Sequence, residues 1–213
     1  MANPHILTIA ATGASGAPFT RALLEAVEQD RRIKNVNFIA SDNALRVFAE
    51  ELDVKGRSDL VEKLLGTKST KIEQQNNDDI GANIASGSYA TNAMIVIPCS
   101  MGTLAGIAHG LARNLIERAA DVCLKEKRPL ILCVREAPLN RIHIRNMDVA
   151  AEAGAIIYPL TPTFYDRPAS VAVMTHQFAC RVLGFVGLQQ EDAFVWGEKK
   201  PAAETRMKNR VIG

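Results

Sequence analysis

Short apolar runs alternate with amphipathic stretches along most of this chain. The runs cover residues 6–11, 36–40, 93–97, 130–134 and 155–158, and the run at 93–97 contains no polar break. Runs of this length are typical of strands that are buried on both faces. Between them, apolar residues recur at helical spacing, as in Leu45, Phe48 and Leu52. This alternation predicts an α/β fold with a parallel sheet that is covered by helices on both faces.

The stretches between the strands predict the helices and the loops. A helical region begins at Thr103 and extends to about Lys127 with a break near Gly110, and a last helix covers about 170–188. Residues 54–80 are polar and contain a short amphipathic piece, followed by an expected surface loop at 74–79. We predict one domain over residues 1–188. The remaining residues, 189–213, form a tail that is mobile or packed on a neighbouring subunit.

Polar clusters follow four of the predicted strands. In open α/β sheets, ligands bind beyond the carboxyl ends of the strands. We therefore expect a single site at that edge, formed by four clusters: Gly13 to Gly16, Ser41 with Asp42, Ser100 to Thr103, and Arg135 with Glu136.

Composition and residue spacing argue against several classes of function. The net charge is +2 and only 5% of the 213 residues are aromatic, which argues against a nucleic-acid-binding surface. The four cysteines show no C-x-x-C spacing and lie in apolar runs, as buried free thiols would. No apolar stretch reaches 18 residues without a charge, and no basic leader precedes the first strand. We expect a cytoplasmic protein with no membrane span.

The turn after the first strand leaves several interpretations open. Gly13-Ala14-Ser15-Gly16 resembles a phosphate-binding turn, but it is neither G-x-G-x-x-G nor a P-loop with its lysine. Asp42 lies where a ribose-binding acid of an NAD site would lie. Hydroxyls at a helix N-terminus suit a flavin phosphate or the edge of its ring equally well. A purely structural turn is the remaining alternative.

Arg135 and Glu136 are the strongest candidates for chemistry. An arginine at the end of a buried strand is able to hold a phosphate bidentately, and a neighbouring glutamate to protonate a leaving oxygen. An ion pair at the strand end is the structural alternative. Lys125 and Arg118 lie on one helix face, where a solvated stripe is equally compatible with the spacing. The four histidines show no H-x-x-x-H or other ligand spacing, so we expect no metal. No G-x-S-x-G surrounds the serines, which argues against a hydrolase triad.

Seven segments together resemble one known family. They are residues 12–17, 85–88, 98–104, 114–122, 124–130, 134–139 and 164–170, and they occur in the family's order across roughly residues 6–185. They look like the flavin prenyltransferases of the UbiX type. Met101 and Lys127 stand at variable places of these segments, and the loop at 74–79 is particular to this chain.

The resemblance implies a flavodoxin-like (Rossmann-like) three-layer sandwich that binds FMN and dimethylallyl monophosphate. It implies that the dimethylallyl group is joined to N5 and C6 of reduced FMN, without a metal. FMN contacts are implied for Gly13, Ala14, Ser15, Ser41, Ser100, Met101, Gly102, Thr103 and Arg135. Contacts with the prenyl phosphate are implied for Ser86, Gly87, Arg118, Lys125, Tyr165 and Arg181. Catalytic roles are implied for Glu136, as the acid for the departing phosphate, and for Glu51 and Ser15.

The residue types agree with that chemistry. Ionisation of an allylic monophosphate needs cations and a proton donor, and the chain lacks the D-D-x-x-D motif of pyrophosphate-using prenyltransferases. The resemblance further implies a homododecamer and delivery of prenylated FMN to a UbiD-type decarboxylase, in ubiquinone biosynthesis or aromatic acid breakdown. Two alternatives remain open, namely an FMN-dependent cysteine decarboxylase and a non-catalytic flavin carrier.

Overall fold

The sheet of the protein is six-stranded and entirely parallel. A computed structural model describes residues 5–197. The strand order is β3-β2-β1-β4-β5-β6, and every neighbouring pair runs parallel. The strands are β1 His5–Ala11, β2 Ile33–Ala40, β3 Ile72–Gln75, β4 Ala93–Cys99, β5 Leu130–Val134 and β6 Ile156–Ile157.

Helices follow the strands and return the chain to the start of the next one. They are α1 Ala17–Gln29, α2 Asp42–Leu52, α3 Leu60–Leu65, α4 Met101–Ala108, α5 Leu115–Lys125, α6 Arg141–Glu152 and α7 Val171–Phe185, and one turn of 3-10 helix covers Asn83–Ala85. The expected break near Gly110 is confirmed, because α4 ends before this residue, which has φ +63°, and α5 begins after it.

Two apolar cores lie on the two faces of the sheet. Successive side chains of a strand point to opposite faces, and Ile9 accordingly belongs to one core while Ala10 belongs to the other. The first core includes buried residues of α1, α2, α3 and α7, and the second includes those of α4 and α5. This arrangement confirms the three-layer, flavodoxin-like (Rossmann-like) sandwich.

The chain reverses direction across the sheet between β1 and β4. From β1 it moves outward to β2 and β3, and it then returns to the other side of β1 to form β4. Such a switch point opens a crevice at the carboxyl ends of the two central strands. The fold therefore places the polar clusters that follow β1, β2, β4 and β5 at one edge.

One expectation about the polar region is wrong. Gln74 and Gln75 belong to the edge strand β3 and not to a surface loop. Only Ile72 of this strand is buried, so the side chains carry almost no apolar signal. The strand is held by its backbone pairing with β2 and by a hydrogen bond from Gln75 Nε2 to Asn37 Oδ1 of 3.1 Å.

The segment after α7 folds back on its own chain as far as the structure describes it. Gln190 Nε2 donates to Asp30 Oδ2 at 3.0 Å, and Phe194 N donates to Gln177 Oε1 at 2.7 Å. Residues 198–213 of the predicted tail, 189–213, lie outside the described residues, so a tail that is mobile or packed on a neighbouring subunit stays a prediction there. Between residues 5 and 197, no helix is long and apolar enough to cross a membrane. All four cysteines are buried free thiols.

Candidate functional site

The turn between β1 and α1 depends on two glycines. A Cβ on Gly13 would lie 2.4 Å from Asn43 Cβ, so the turn and the start of α2 are in close contact. Gly16 has φ +135°, and a Cβ there would lie 2.5 Å from Leu160 Cδ2 in the loop after β6. The turn is therefore fixed between two neighbouring loops, with Ser15 exposed beside it.

Buried Thr12 joins the ends of β1 and β4. Its Oγ1 donates to Pro98 O at 2.9 Å and accepts from Ser100 N at 2.8 Å. The sequence motif contains Thr12 but predicts no role for it. The hydroxyl sets the distance between the β1 turn and the start of α4.

Two serines begin helices at this edge. Ser41 Oγ caps α2 by accepting from Ala44 N at 3.2 Å, and Ser100 Oγ caps α4 by accepting from Thr103 N at 3.4 Å. Thr103 Oγ1 lies 3.2 Å from Ser100 Oγ. A Cβ on Gly102 would meet no atom within 4 Å, so the first turn of α4 borders open space. Met101 points into the core instead, because its residue is only 8% exposed.

Arg135 and Glu136 follow β5 at the same edge, and both are exposed. Arg135 N donates to Cys99 O at 3.1 Å, which anchors the backbone beside β4. The Glu136 carboxylate accepts only from Ala137 N, at 3.0 Å, among the hydrogen bonds of the described chain. The ion pair considered as the structural alternative is absent from the ion pairs of residues 5–197.

Glu51 caps α1 from a different helix. Gly16 is the N-cap of α1 and has no side chain to cap it. Glu51 Oε2, at the end of α2, accepts from Gly16 N at 3.0 Å and from Ala17 N at 2.8 Å. The carboxylate is thus next to the β1 turn, as predicted, and it also neutralises the positive end of the α1 dipole. Sequence spacing gave no indication of this capping role.

These residues form what we call the rim site: residues 13–16, Ser41, Glu51, Ser100 to Thr103, Arg135 and Glu136. It offers hydroxyls, the open N-terminus of α4 and one guanidinium, which is a donor set suited to an anionic mononucleotide. An FMN phosphate and ring edge fit this set. The nearby Cys99 is no nucleophile at neutral pH, because burial raises the pKa of its thiol to about 12.

Tyr165 and Arg181 lie together in a second place. With Phe194 and Trp196 they line a cavity of about 320 Å³, which we call the aromatic cavity. The rings of Tyr165 and Trp196 meet edge to face with centroids 5.0 Å apart. Tyr165 belongs to the loop after β6, whose Leu160 contacts the Gly16 turn.

The remaining predicted residues, together with Arg128, which the sequence did not indicate, form a third group, which we call the basal cluster: Ser86, Gly87, Arg118, Lys125 and Arg128. A Cβ on Gly87 would lie 2.7 Å from Lys125 Nζ, and Arg128 Nη2 donates to Gly87 O at 2.6 Å. Arg118 Nε donates to Ala85 O at 3.0 Å. Lys125 also forms an ion pair with Glu126.

The basal cluster and the rim site lie at opposite ends of the sheet. Ser86 and Gly87 precede β4, and Lys125 precedes β5, whereas Ser100 and Arg135 follow these two parallel strands. A seven-residue strand such as β4 is about 23 Å long. Within one chain, therefore, the structure does not bring Lys125 to Glu136.

Comparison with known proteins identifies the class. A sequence model of the family described as Flavoprotein matches residues 1–177, which agrees with a Rossmann-like fold whose rim suits a flavin mononucleotide. A flavin prenyltransferase UbiX from Pseudomonas aeruginosa is 41% identical over 205 residues, covering 93% of this chain and 97% of the relative. The chain belongs to the family of UbiX flavin prenyltransferases.

Solved structures agree with this family. AnUbiX (PadA1), crystallised with FMN and dimethylallyl pyrophosphate, has a TM-score of 0.82 and 34% identity, over 92% of this chain and all (100%) of that chain. A dodecameric FMN-dependent UbiX-like decarboxylase from Escherichia coli O157:H7 has a TM-score of 0.80 and 39% identity, over 91% of this chain and 100% of its own.

Proposed function

We propose that this chain joins the dimethylallyl group of dimethylallyl monophosphate to N5 and C6 of reduced FMN, giving prenylated FMN. The observation that carries the proposal is the rim site itself. It combines helix N-termini and hydroxyls for a mononucleotide with an arginine and with a carboxylate that has no cation partner between residues 5 and 197, in a chain of the UbiX family.

The rim site holds FMN through donors that the fold has already positioned. Ser41 and Ser100 begin two of the helices, and Thr103 and Gly102 lie in the first turn of α4. Gly13, Ala14 and Ser15 supply the turn of β1, and Arg135 supplies a cation at the end of β5. Bound reduced flavin supplies the nucleophilic N5 atom, so the protein needs no nucleophile of its own.

Glu136 donates the proton to the leaving oxygen of the phosphate. Its exposed carboxylate has no cation paired with it among the described residues, and it is adjacent in sequence to the Arg135 guanidinium. Protonation of the departing oxygen makes phosphate a better leaving group, while arginine stabilises its charge. Glu51 and Ser15 handle the later proton movement beside the β1 turn, where Glu51 already accepts two backbone N–H groups.

The prenyl phosphate is held by side chains of two subunits. Tyr165 and Arg181 come from the chain that supplies the rim, since the loop of Tyr165 contacts the Gly16 turn through Leu160. Ser86, Gly87, Arg118 and Lys125 come from the basal cluster of a neighbouring copy, because those of the same chain lie at the far end of the sheet. The dodecameric relative supports such an assembly. Exposed Leu139, Ile142, Ile144 and Val149, in and just before α6, supply apolar surface for subunit contacts.

A mass measurement tests the reaction. Reduced FMN, dimethylallyl monophosphate and the protein are incubated anaerobically without metal, and the flavin is expected to become heavier by one C5H8 unit. Glu136→Gln is expected to keep FMN bound and to slow phosphate release. An unchanged flavin mass contradicts the enzyme and leaves the non-catalytic flavin carrier, which FMN binding alone would then support.

The prenyl donor is a second variable of the same experiment. AnUbiX was crystallised with dimethylallyl pyrophosphate, so parallel incubations contain the monophosphate or the pyrophosphate. We expect the monophosphate to be preferred, since the chain lacks the D-D-x-x-D motif of pyrophosphate-using prenyltransferases. A cysteine decarboxylase would leave the flavin mass unchanged and release CO2 from a cysteine-containing peptide. The FMN-dependent cysteine decarboxylase TvaF is only 13% identical to this chain and shares the fold alone.

The product serves a UbiD-type decarboxylase, in ubiquinone biosynthesis or in the breakdown of aromatic acids. We place the reaction in the cytoplasm, where four buried free thiols stay reduced. Coexpression with a UbiD-type enzyme tests the partner, because that enzyme should become active only when this chain is present.

A further inference from the structure

Three side chains outside the sites described above converge on one point. His176 and Cys180 lie one helical turn apart on α7, and Asp192 comes from the segment that follows this helix. His176 Nε2 lies 2.8 Å from Asp192 Oδ2 and 3.4 Å from Cys180 Sγ, and Cys180 Sγ lies 3.8 Å from Asp192 Oδ1. Cys180 is fully buried, while the His176 and Asp192 side chains are 25% and 33% exposed.

The geometry is not that of a catalytic triad. In a triad, the two ring nitrogens of histidine face different groups, with the nucleophile on one side and the carboxylate on the other. Here both the thiol and the carboxylate face the same nitrogen, Nε2. An ion pair accounts for part of the arrangement, because the hydrogen bonds of Asp192 and Cys180 raise the pKa of His176 to about 10. It does not account for a thiol directed at the same point.

We propose that His176, Cys180 and Asp192 form a transition-metal site of the Zn²⁺ type. Tetrahedral zinc with bonds of about 2.3 Å to sulfur and about 2.0 Å to nitrogen or oxygen separates its ligand atoms by roughly 3.3–3.6 Å. The separation of Cys180 Sγ from His176 Nε2, 3.4 Å, lies in that range, and that of Cys180 Sγ from Asp192 Oδ1, 3.8 Å, lies just above it. Asp192 Oδ2 is closer to His176 Nε2, at 2.8 Å, so the carboxylate has to move back by about 0.5 Å when the ion replaces this hydrogen bond. Thiolate, imidazole and carboxylate together favour zinc over magnesium or calcium. Binding releases the thiol proton and any proton on the imidazole.

The partial exposure of His176 and Asp192 gives a metal ion a path from solvent and leaves its fourth coordination position open. Water completes a site with three protein ligands, and the exposed faces of His176 and Asp192 admit it. Glu25 of α1 is a further carboxylate nearby, since the charge of His176 acts on it. The sequence shows no H-x-x-x-H spacing, but His176 and Cys180 stand in an H-x-x-x-C spacing, which also places two ligand types one helical turn apart.

A metal ion bound by Asp192, His176 and Cys180 would link the segment after α7 to this helix. This segment carries Phe194 and Trp196, which line the aromatic cavity together with Tyr165 and Arg181. At present Gln177 holds the segment through Phe194 N and through Asp192 O, to which its Nε2 donates at 3.0 Å. A metal at Asp192 adds a bond between the same two elements. Its role is structural, and it is independent of the proposed prenyl transfer.

The test uses the tag-free full chain with Zn²⁺ or Co²⁺ alone. We expect one Zn²⁺ per chain by calorimetry and a thiolate-to-cobalt charge-transfer band with Co²⁺. Cys180→Ser should abolish the band and weaken Zn²⁺ binding by about 100-fold or more, because a thiolate ligand is lost. Cys123→Ser is the matched control, since Cys123 is also buried in a helix but belongs to no such cluster among the described residues.

Asp192→Asn provides a second variant at a partly exposed position, in case Cys180→Ser does not fold. It should weaken Zn²⁺ binding and remove the increase in Tm that Zn²⁺ gives the unaltered chain. Equal Zn²⁺ affinity in wild type, Cys180→Ser and Asp192→Asn would overturn the proposal, as would a cobalt spectrum without a thiolate band. Flavin prenylation plays no part in these readouts, so their failure leaves the proposed function unaffected.

Discussion

At the carboxyl ends of its strands the sheet presents backbone N–H groups and hydroxyls beside Glu51, Arg135 and Glu136, whereas at the opposite end it presents mainly long cationic side chains. Thr12, Ser41 and Ser100 connect the rim through hydrogen bonds of uncharged groups. Lys125, Arg118 and Arg128 form the basal cluster from long cationic side chains. The rim is therefore rigid and suited to fixing a ring system, while the basal cluster is adaptable and suited to phosphate.

The largest losses of activity are expected when one charged side chain is removed at either end of the sheet. Glu136→Gln and Lys125→Ala should each lower kcat/KM by about 100-fold or more, since each removes a group that acts on the leaving phosphate. Coexpression of the two variants should restore about a quarter of the activity, because half of the rims and half of the neighbouring basal clusters are intact. Steady-state kinetics of the mixed oligomer provides the measurement.

This experiment decides whether the rim site of one subunit and the basal cluster of a neighbouring subunit form one active site. A mixture as inactive as either variant would show that one chain supplies both groups, against the proposal. Arg46→Ala is a suitable control, because Arg46 pairs only with Glu50 among described ion pairs and is 80% exposed.

The next effect concerns the stiffness of the rim. Gly16→Ala should destabilise the protein by about 3 kcal/mol, because φ +135° is unfavourable for alanine and its Cβ would lie 2.5 Å from Leu160 Cδ2. Urea denaturation measures the loss. A loss below about 0.5 kcal/mol would mean that the turn relaxes freely.

Gly102→Ala is expected to change FMN binding at the rim site while leaving the stability of the fold unchanged. Its Cβ would meet no protein atom within 4 Å, so we expect a stability change within about 0.5 kcal/mol. FMN binding should nevertheless weaken, since the methyl group enters the open space beside α4. Unchanged FMN affinity, measured by fluorescence titration, would place the flavin elsewhere.

Thr12→Val should cost about 2 kcal/mol of stability at the rim. The valine leaves Ser100 N without its buried acceptor, and an unsatisfied buried donor is expensive. Thr12→Ser retains the hydroxyl and is the matched control, with a smaller loss expected from the missing methyl group. If both variants lose the same free energy of unfolding, the hydrogen bonds of Thr12 do not hold the two strand ends.

The smallest effect concerns pH at the other end of the sheet, where α1 leads into β2. Burial alone would raise the pKa of Asp30, but hydrogen bonds from Arg32 and Gln190 outweigh it and lower the pKa. Its stabilisation is therefore complete above the unfolded pKa of about 3.9 and is lost as the pH falls below that value towards the folded pKa.

Asp30→Asn should accordingly cost about 1 kcal/mol at pH 7 and less below pH ~4. The exposed pair of Asp53 and Lys55 offers a control, because Asp53→Asn should change stability little at either pH. Thermal unfolding from pH 3 to pH 7 checks both variants. A wild type and an Asp30→Asn variant with parallel pH profiles would contradict the role of Asp30.

The sequence predicted the layers of the fold because its strands are buried on both faces and carry a strong apolar signal. It missed β3, whose half-buried glutamines are held by backbone pairing. The placement of Lys125 and Arg135 at opposite ends of the sheet was already implicit in chain order, since Lys125 precedes β5 and Arg135 follows it. The Glu51 cap was not predictable from spacing, because it depends on how α2 packs against the β1 turn.

The Glu51 cap has a consequence for selectivity between nucleotides. In dinucleotide-binding relatives of this fold, the pyrophosphate binds the backbone N–H groups at the start of the first helix. Here a carboxylate of the chain already accepts from Gly16 N and Ala17 N, at 3.0 and 2.8 Å. A second anion at that place would meet both an occupied donor pair and a like charge. We therefore expect the protein to disfavour NAD, because the Glu51 carboxylate occupies the place of its phosphate, and to retain room for a mononucleotide.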